Sequence, residues 1–262
     1  MTRELDRLVA GGVELEYRRV RRDGGGDRTP IVMLHEGLGS VALWRDFPEA
    51  LSAAADREVF LWSRRGFGGS DAATSPQDRH YLHHDALVEL PQVLAAAGIE
   101  RPILFGHSDG ATIALLYAAA RPHAVAALVL EAPHVFVEPI TLAGIEAAVE
   151  AWETTDLPEK LARNHRDATA VFAAWRDIWL DPAFRDWNVE AGLERVVCPT
   201  LIIQGDDDQY GTAAQHRAIK ARVTGAHLLE LADCGHSPHR DRPAAVLAAT
   251  GRFVARLEGG PR

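Results

Sequence analysis

The chain has 262 residues, of which 47% are hydrophobic and 25% charged, as is ordinary for a globular protein with one large or two small domains. Its 28 basic and 37 acidic residues give a formal net charge of −9, which argues against a nucleic-acid partner. No apolar run approaches the roughly 20 residues of a membrane span, and residues 1–6 lack the apolar core of a secretory signal. We therefore expect a cytoplasmic protein without a membrane partner.

The first part of the chain alternates strand patterns with helix patterns. One segment alternates apolar and polar residues, as in a half-buried antiparallel strand, and two short apolar runs are typical of strands covered on both faces. A Gly-rich loop, residues 35–40, follows the first apolar run. The predicted strands are 12–20, 31–34 and 58–62, and the predicted helices are 41–55 and 77–97.

The alternation continues to residue 131, is interrupted, and then resumes. Residues 133–196 contain helical patterns and no convincing strand. A helical insertion within a β-α repeat is expected to cover the carboxyl ends of the strands, where open α/β sheets bind ligands. We therefore predict a core of residues 1–132 and 197–262 with a helical cap at 133–196. The remaining predicted strands are 102–105, 126–131, 200–204 and 227–231.

The sequence Gly106-His107-Ser108-Asp109-Gly110 lies between a predicted buried strand and a predicted helix. Strand, G-x-S-x-G and helix form the context of a nucleophile elbow, in which a strained turn exposes the serine hydroxyl. Glycines two residues before and after the serine allow the chain to reverse tightly. We predict that Ser108 is a nucleophile.

A serine nucleophile needs a base, and the base needs an acid that fixes its tautomer. His236 follows the last predicted strand and is the expected base, with His239 as the alternative. Three aspartates, residues 206–208, follow the preceding strand. We favour Asp208 as the acid, with Asp207 second.

The oxyanion of a tetrahedral intermediate requires preorganised N–H donors. The backbone N–H of Asp109, next to the nucleophile, is one expected donor. The second is expected from the loop after strand 31–34, where the N–H of Leu38 is favoured and that of Gly37 is the alternative.

Together these motifs resemble those of the α/β-hydrolase superfamily over nearly the whole chain except the cap. The motifs are residues 34–40, 65–70, 106–110, 205–208 and 235–236. The resemblance implies an α/β fold with a mostly parallel, eight-stranded type of sheet flanked by helices, and a Ser108-Asp208-His236 triad. It does not define a substrate, because this fold hosts many reactions. Two departures stand out: Glu36 is inserted in the oxyanion loop, and Asp109 follows the nucleophile. We expect the Asp109 carboxylate to turn away or to pair with Arg64 or Arg65.

Several side chains are candidates for the substrate pocket. Phe172, Trp175 and Trp179 share one face of a predicted cap helix, although such a stripe commonly packs a cap onto its core. Trp44 follows the oxyanion loop, and His134 precedes the cap.

No cofactor and no metal are expected. The sequence His35-Glu36 begins like a zinc motif, but Gly39 stands where the second histidine is needed. His80 and His84 share a helix face, which by itself rarely indicates a metal site.

These features predict a serine hydrolase that cleaves a small, largely apolar carboxylic ester or thioester through an acyl-enzyme on Ser108. A small molecule is the expected partner. Hydrolysis of a carbon–carbon bond beside a ketone, lactone hydrolysis and acyl transfer are alternatives with the same triad. A ligand-binding protein without catalytic activity is the alternative from another class.

Overall fold

The computed structural model describes residues 5–21, 28–73 and 78–259. An eight-stranded sheet has the order β1-β2-β4-β3-β5-β6-β7-β8, in which β2 pairs antiparallel with both β1 and β4 and all the other neighbours pair parallel. The strands are β1 Asp6–Ala10, β2 Val13–Val20, β3 Ile31–Leu34, β4 Val59–Trp62, β5 Ile103–His107, β6 Ala127–Glu131, β7 Thr200–Gly205 and β8 His227–Leu231. This is the predicted α/β fold with a mostly parallel sheet.

Burial explains which runs form central strands. Every residue of β3, β4, β5 and β6 is buried, as expected for strands covered on both faces. Strand β1 is absent from the sequence-based prediction. It forms a hairpin with β2 through Gly11 and Gly12, whose φ angles are +59° and +79°. A Gly-Gly pair between two strand-like runs is a hairpin signal.

Ten α-helices accompany the sheet within the described residues. They are α1 Phe47–Ala55, α2 Tyr81–His84, α3 Leu90–Ala97, α4 Asp109–Ala120, α5 Pro139–Thr154, α6 Leu157–Ala162, α7 Ala168–Leu180, α8 Ala213–Arg222, α9 Pro238–Asp241 and α10 Pro243–Gly259. Apolar residues of α1 and α10 cover one face of the sheet, and those of α3, α4 and α8 cover the other. Packing on both faces stabilises the sheet, and the sheet in turn positions the loops at the carboxyl ends of its strands.

Two predicted helices are interrupted. The helix predicted over 41–55 is a 3-10 turn, Val41–Trp44, followed by α1, because Arg45 between them has a φ of +52°. The helix predicted over 77–97 begins at Tyr81 and contains a π-helical turn, Asp85–Glu89. That turn ends two residues before Pro91, which cannot donate the usual backbone hydrogen bond. Gln77 lies outside the described residues.

The insertion between β6 and β7 is helical. It contains α5, α6, α7 and two 3-10 turns, Pro182–Phe184 and Leu193–Arg195. Among the described residues, no helix is long and apolar enough to cross a membrane. Residues 1–4, on which part of the localisation prediction rests, lie outside the described residues.

Candidate active site

Ser108 lies at the turn between β5 and α4. Its backbone has φ +54° and ψ −117°, a strained conformation for a residue other than glycine. A Cβ atom on Gly106 would collide with the backbone of Gly110, and one on Gly110 would collide with the backbone of Leu34. Both glycines are therefore required by the close approach of β5, α4 and β3.

The loops after β7 and β8 bring two further residues to Ser108. His236 Nε2 lies 2.9 Å from Ser108 Oγ, and His236 Nδ1 lies 2.9 Å from both carboxylate oxygens of Asp208. An ionised carboxylate only accepts hydrogen bonds, so Nδ1 carries the proton. Nε2 then carries the lone pair that accepts the hydrogen bond from the Ser108 hydroxyl. A hydroxyl in such a chain can attack a carbonyl carbon while the imidazole takes its proton.

Asp208 is held as a carboxylate by its surroundings. Its oxygens accept from the Gln204 side-chain amide at 2.6 Å and from the Tyr210 backbone N–H at 2.8 Å. Burial by itself would raise the pKa of Asp208, but His236 and the Tyr210 N–H outweigh it and the pKa lies below its ordinary value. The low pKa keeps the acceptor for His236 Nδ1 charged.

The alternatives for the acid and the base lie elsewhere. Asp207 is exposed, whereas Asp208 is 5% exposed. His239 is buried beneath the site, with Nδ1 2.8 Å from the Glu131 carboxylate. The structure therefore brings Asp208 and His236, rather than Asp207 or His239, to Ser108.

The expected oxyanion donors belong to residues that line the same cavity as Ser108. Asp109 is the first residue of α4, where a backbone N–H has no partner within the helix. Leu38 lies in a turn closed by the bond from Gly39 N–H to Glu36 O at 3.0 Å. Gly37 and Leu38 both line the cavity, so either N–H remains a candidate for the second donor.

A cavity of about 520 Å³ opens above Ser108. Its floor comes from the oxyanion loop, the elbow and the loop of His236, and its roof comes from α5, α6 and α7. The apolar and aromatic residues of the lining include Ile145, Leu161, Trp175, Trp179 and Tyr210, and its charged residues include Arg45, Lys160, Arg163 and Arg240.

Three of the five predicted pocket residues line this cavity, namely His134, Trp175 and Trp179. The other two predictions are corrected. Trp44 is 3% exposed and packs in the core against His239 and Phe105. Phe172 is 1% exposed and stacks on Trp152 within the insertion, with ring centroids 4.2 Å apart.

The pair formed by the buried His107 and the partly exposed Glu36 is absent from the sequence-based prediction. His107 Nδ1 lies 3.5 Å from the Glu36 carboxylate, and His107 Nε2 lies 2.6 Å from the His236 carbonyl oxygen. Burial opposes both charges, but their mutual attraction prevails: the pKa of Glu36 is lowered and the pKa of His107 is raised. This imidazole connects the oxyanion loop to the loop of His236.

One group of possible metal ligands occurs in the part of the chain that the structure describes: His84, Asp85 and Glu89. The two carboxylates lie 2.7 Å from Arg64 and 3.6 Å from Arg65, respectively, and none of the three residues lines the cavity. His80, which the sequence pairs with His84, is not in this group. The arrangement is explained by ion pairs alone.

A strained serine, a hydrogen-bonded imidazole and a carboxylate at the strand ends of this sheet define the class of α/β hydrolases. The family described as alpha/beta hydrolase fold matches residues 29–191, and the chain belongs to this family. The chain is therefore an enzyme of the hydrolase class.

Two curated relatives extend this finding. A Klebsiella pneumoniae (strain 342) protein, provisionally named carbamate hydrolase, is 30% identical over 233 residues, which cover 79% of this chain and 85% of that protein. The 2-hydroxymuconate semialdehyde hydrolase of Pseudomonas sp. (strain CF600) is 25% identical over 96% of this chain and 94% of its own length. Their names specify different substrates within one family.

A solved structure supports the same fold. The enol-lactonase from Burkholderia xenovorans LB400 superposes with a TM-score of 0.74 and 21% identity, and the match covers 95% of this chain and all of that one. At this identity the likeness establishes the fold and no more.

Proposed function

We propose that the protein is a serine hydrolase that cleaves a small, largely apolar carboxylic ester or thioester through an acyl-enzyme on Ser108. The proposal depends chiefly on one observation, the hydrogen-bonded chain from Ser108 Oγ through His236 to Asp208. The apolar and aromatic part of the cavity lining, which includes Ile145 and Trp179, supports an apolar acyl group.

In the first half of the reaction, Ser108 Oγ bonds to the substrate carbonyl carbon as its proton passes to His236 Nε2. The negative oxygen accepts from the N–H groups of Asp109 and Leu38, and Asp208 stabilises the imidazolium. The bond to the leaving group then breaks, and the leaving oxygen or sulfur takes the proton from Nε2. The products are the acyl-enzyme and an alcohol or thiol.

In the second half, water replaces the leaving group. His236 Nε2 takes a proton from the water as its oxygen bonds to the acyl carbon. Collapse of this second tetrahedral intermediate breaks the bond to Ser108 Oγ, which regains the proton from Nε2. The carboxylic acid leaves, and the free enzyme is restored.

The test is hydrolysis of 4-nitrophenyl esters with acyl chains of two to twelve carbons, with Ser108→Ala as the control. We expect turnover with an optimum chain length, and a loss of kcat of roughly 10⁴-fold or more in Ser108→Ala. A fluorophosphonate should label Ser108 in the wild type only. A folded protein that neither turns over nor is labelled would instead be a ligand-binding protein on this fold.

Hydrolysis of a carbon–carbon bond is the second candidate, favoured by the similarity to the semialdehyde hydrolase over 96% of the chain. This activity would use the same Ser108, so labelling by the fluorophosphonate would persist. If the enzyme is labelled but inactive on every nitrophenyl ester, and cleaves a carbon–carbon bond beside a ketone, carbon–carbon hydrolysis replaces the ester proposal. Lactones and acyl acceptors other than water would be tested after it.

A further inference from the structure

His134 presents an unexplained polar group beside Ser108. It follows β6, lines the cavity and is only 3% exposed. Its Nδ1 is fully enclosed without a hydrogen-bond partner. A buried polar group without a partner costs about 1–3 kcal/mol, so its presence requires an explanation.

The imidazole of His134 is neutral at physiological pH. Burial, assisted by the neighbouring His236, lowers the pKa of His134 to about 3. A neutral imidazole carries one N–H and one lone pair. Gly211 lies against the Cε1–Nδ1 edge, where an added Cβ would be 3.4 Å from Cε1 and 3.7 Å from Nδ1.

The N–H of His134 therefore belongs on Nε2. A buried N–H without an acceptor is rarer and less tolerable than an unpaired acceptor, so the enclosed Nδ1 keeps the lone pair. Nε2, which unlike Nδ1 is not an enclosed atom without a partner, is then the nitrogen left to the cavity that His134 lines.

The surroundings of His134 are aromatic. Its ring centroid lies 5.5 Å from that of Trp179 and 5.5 Å from that of His236. The Trp179 N–H already donates to the Tyr81 hydroxyl at 3.1 Å. His134 is thus a neutral hydrogen-bond donor among aromatic side chains, and its ring contacts the His236 imidazole that is hydrogen-bonded to Ser108.

We propose that His134 is a specificity-determining residue, whose Nε2–H donates to an uncharged carbonyl oxygen on the acyl chain of the substrate. The inference depends on the proposed ester hydrolysis at Ser108. Because the acyl group stays attached to Ser108 during deacylation, this hydrogen bond acts in both halves of the reaction. The substrate class is therefore an ester or thioester of an oxo acid rather than of a plain fatty acid.

The test compares matched 4-nitrophenyl esters: 4-oxopentanoate with pentanoate, 5-oxohexanoate with hexanoate, and 6-oxoheptanoate with heptanoate. The ratio of kcat/KM within each pair is measured for the wild type and for His134→Phe. Dividing one ratio by the other cancels the intrinsic reactivity of the oxo esters and any change common to both substrates. For at least one pair we expect the ratio to fall about tenfold in His134→Phe, consistent with loss of one hydrogen bond.

Two further variants test whether the effect comes from the N–H donor of His134 rather than from a general change in the protein. His134→Gln retains an N–H donor and should recover part of the preference. His216→Phe is the matched control, because His216 is also buried with an unpartnered Nδ1 but does not line the cavity. It should keep the wild-type ratios. Ratios that change less than twofold in His134→Phe for all three pairs would overturn the proposal.

Failure of the proposed function has a different signature. If Ser108-dependent turnover is absent, the same ester pairs are titrated into the Ser108→Ala variant and the tryptophan fluorescence of the protein is followed, to which Trp175 and Trp179 of the cavity contribute. Tighter binding of an oxo ester that disappears in Ser108→Ala/His134→Phe would support His134 recognition although ester hydrolysis had failed. Equal binding of both members of each pair would overturn the His134 proposal itself.

Discussion

Asp109 places its backbone and its side chain in different surroundings. Its N–H begins α4 beside Ser108, whereas its carboxylate accepts from the Tyr81 hydroxyl at 3.0 Å and lies 3.5 Å from Arg64. Burial raises the pKa of Asp109, and Arg64 and Tyr81 offset only part of this effect. The predicted ion pair is confirmed with Arg64. The carboxylate is thereby held by partners other than the substrate.

Replacing Asp109 with Asn tests the ion pair. The amide oxygen can still accept from Tyr81, but Arg64 loses one of two carboxylates and retains Asp85 at 2.7 Å. We expect the free energy of unfolding to fall by about 1–3 kcal/mol, less than for a buried charge left without any partner. Urea denaturation measures the loss. Tyr81→Phe, which keeps both charges but removes the hydrogen bonds of the Tyr81 hydroxyl to Asp109 and from Trp179, is the comparison. An Asp109→Asn variant as stable as the wild type would contradict the stabilising role of the ion pair.

Contiguous motifs made part of the site predictable. The elbow, the aspartate loop and the histidine loop each follow a strand, and parallel strands bring such loops to one edge of the sheet. The pocket was harder to predict, because helical periodicity identifies an apolar face but not what it contacts. Phe172 and Trp175 lie on one face of α7, yet Phe172 stacks on Trp152 while Trp175 lines the cavity. Glu36 and His107, far apart in sequence, meet only through pairing of β3 with β5.

His165 ties the helical insertion to the core. It lies between α6 and α7, with Nδ1 2.9 Å from the Gly68 backbone nitrogen and Nε2 3.0 Å from the Leu38 carbonyl oxygen. The Gly68 N–H can only donate, so Nδ1 accepts and Nε2–H donates to Leu38. Burial lowers the pKa of His165, which favours this neutral form. The insertion therefore helps to orient the loop from which the second oxyanion donor is expected.

Two substitutions of His165 test separately its hydrogen bonds to Gly68 and to Leu38. In His165→Asn the amide lies near the position of Nδ1 and keeps an acceptor for Gly68, whereas in His165→Gln it reaches the position of Nε2 and keeps a donor for Leu38. We expect kcat for nitrophenyl esters to fall about tenfold in the Asn variant, less than the loss of a whole oxyanion donor, and to fall less in the Gln variant. A KM that rises while kcat stays constant in both variants would show that His165 does not act on the oxyanion loop.

Several histidines in the interior of the molecule have pKa values that favour the neutral form. Burial is the largest cause that lowers the pKa values of His35, His134, His165 and His239, each less than 7% exposed. His107 differs, because Glu36 raises its pKa despite burial. On unfolding, all five return to the ordinary pKa of about 6.5. The folded state therefore binds fewer protons than the unfolded state in mildly acidic solution.

This difference makes stability depend on pH. Above pH 6.5 the four histidines are neutral in both states and contribute no slope, whereas below it only the unfolded state takes up their protons. One pH unit below 6.5, each histidine that stays neutral in the fold costs about 1.4 kcal/mol of stability, and His107 offsets part of the total. We expect urea midpoints to be similar at pH 8.5 and 7.5 and to fall markedly at pH 5.5. His239→Gln should reduce the fall, and a midpoint that is constant down to pH 5.5 would show that these histidines become protonated within the fold.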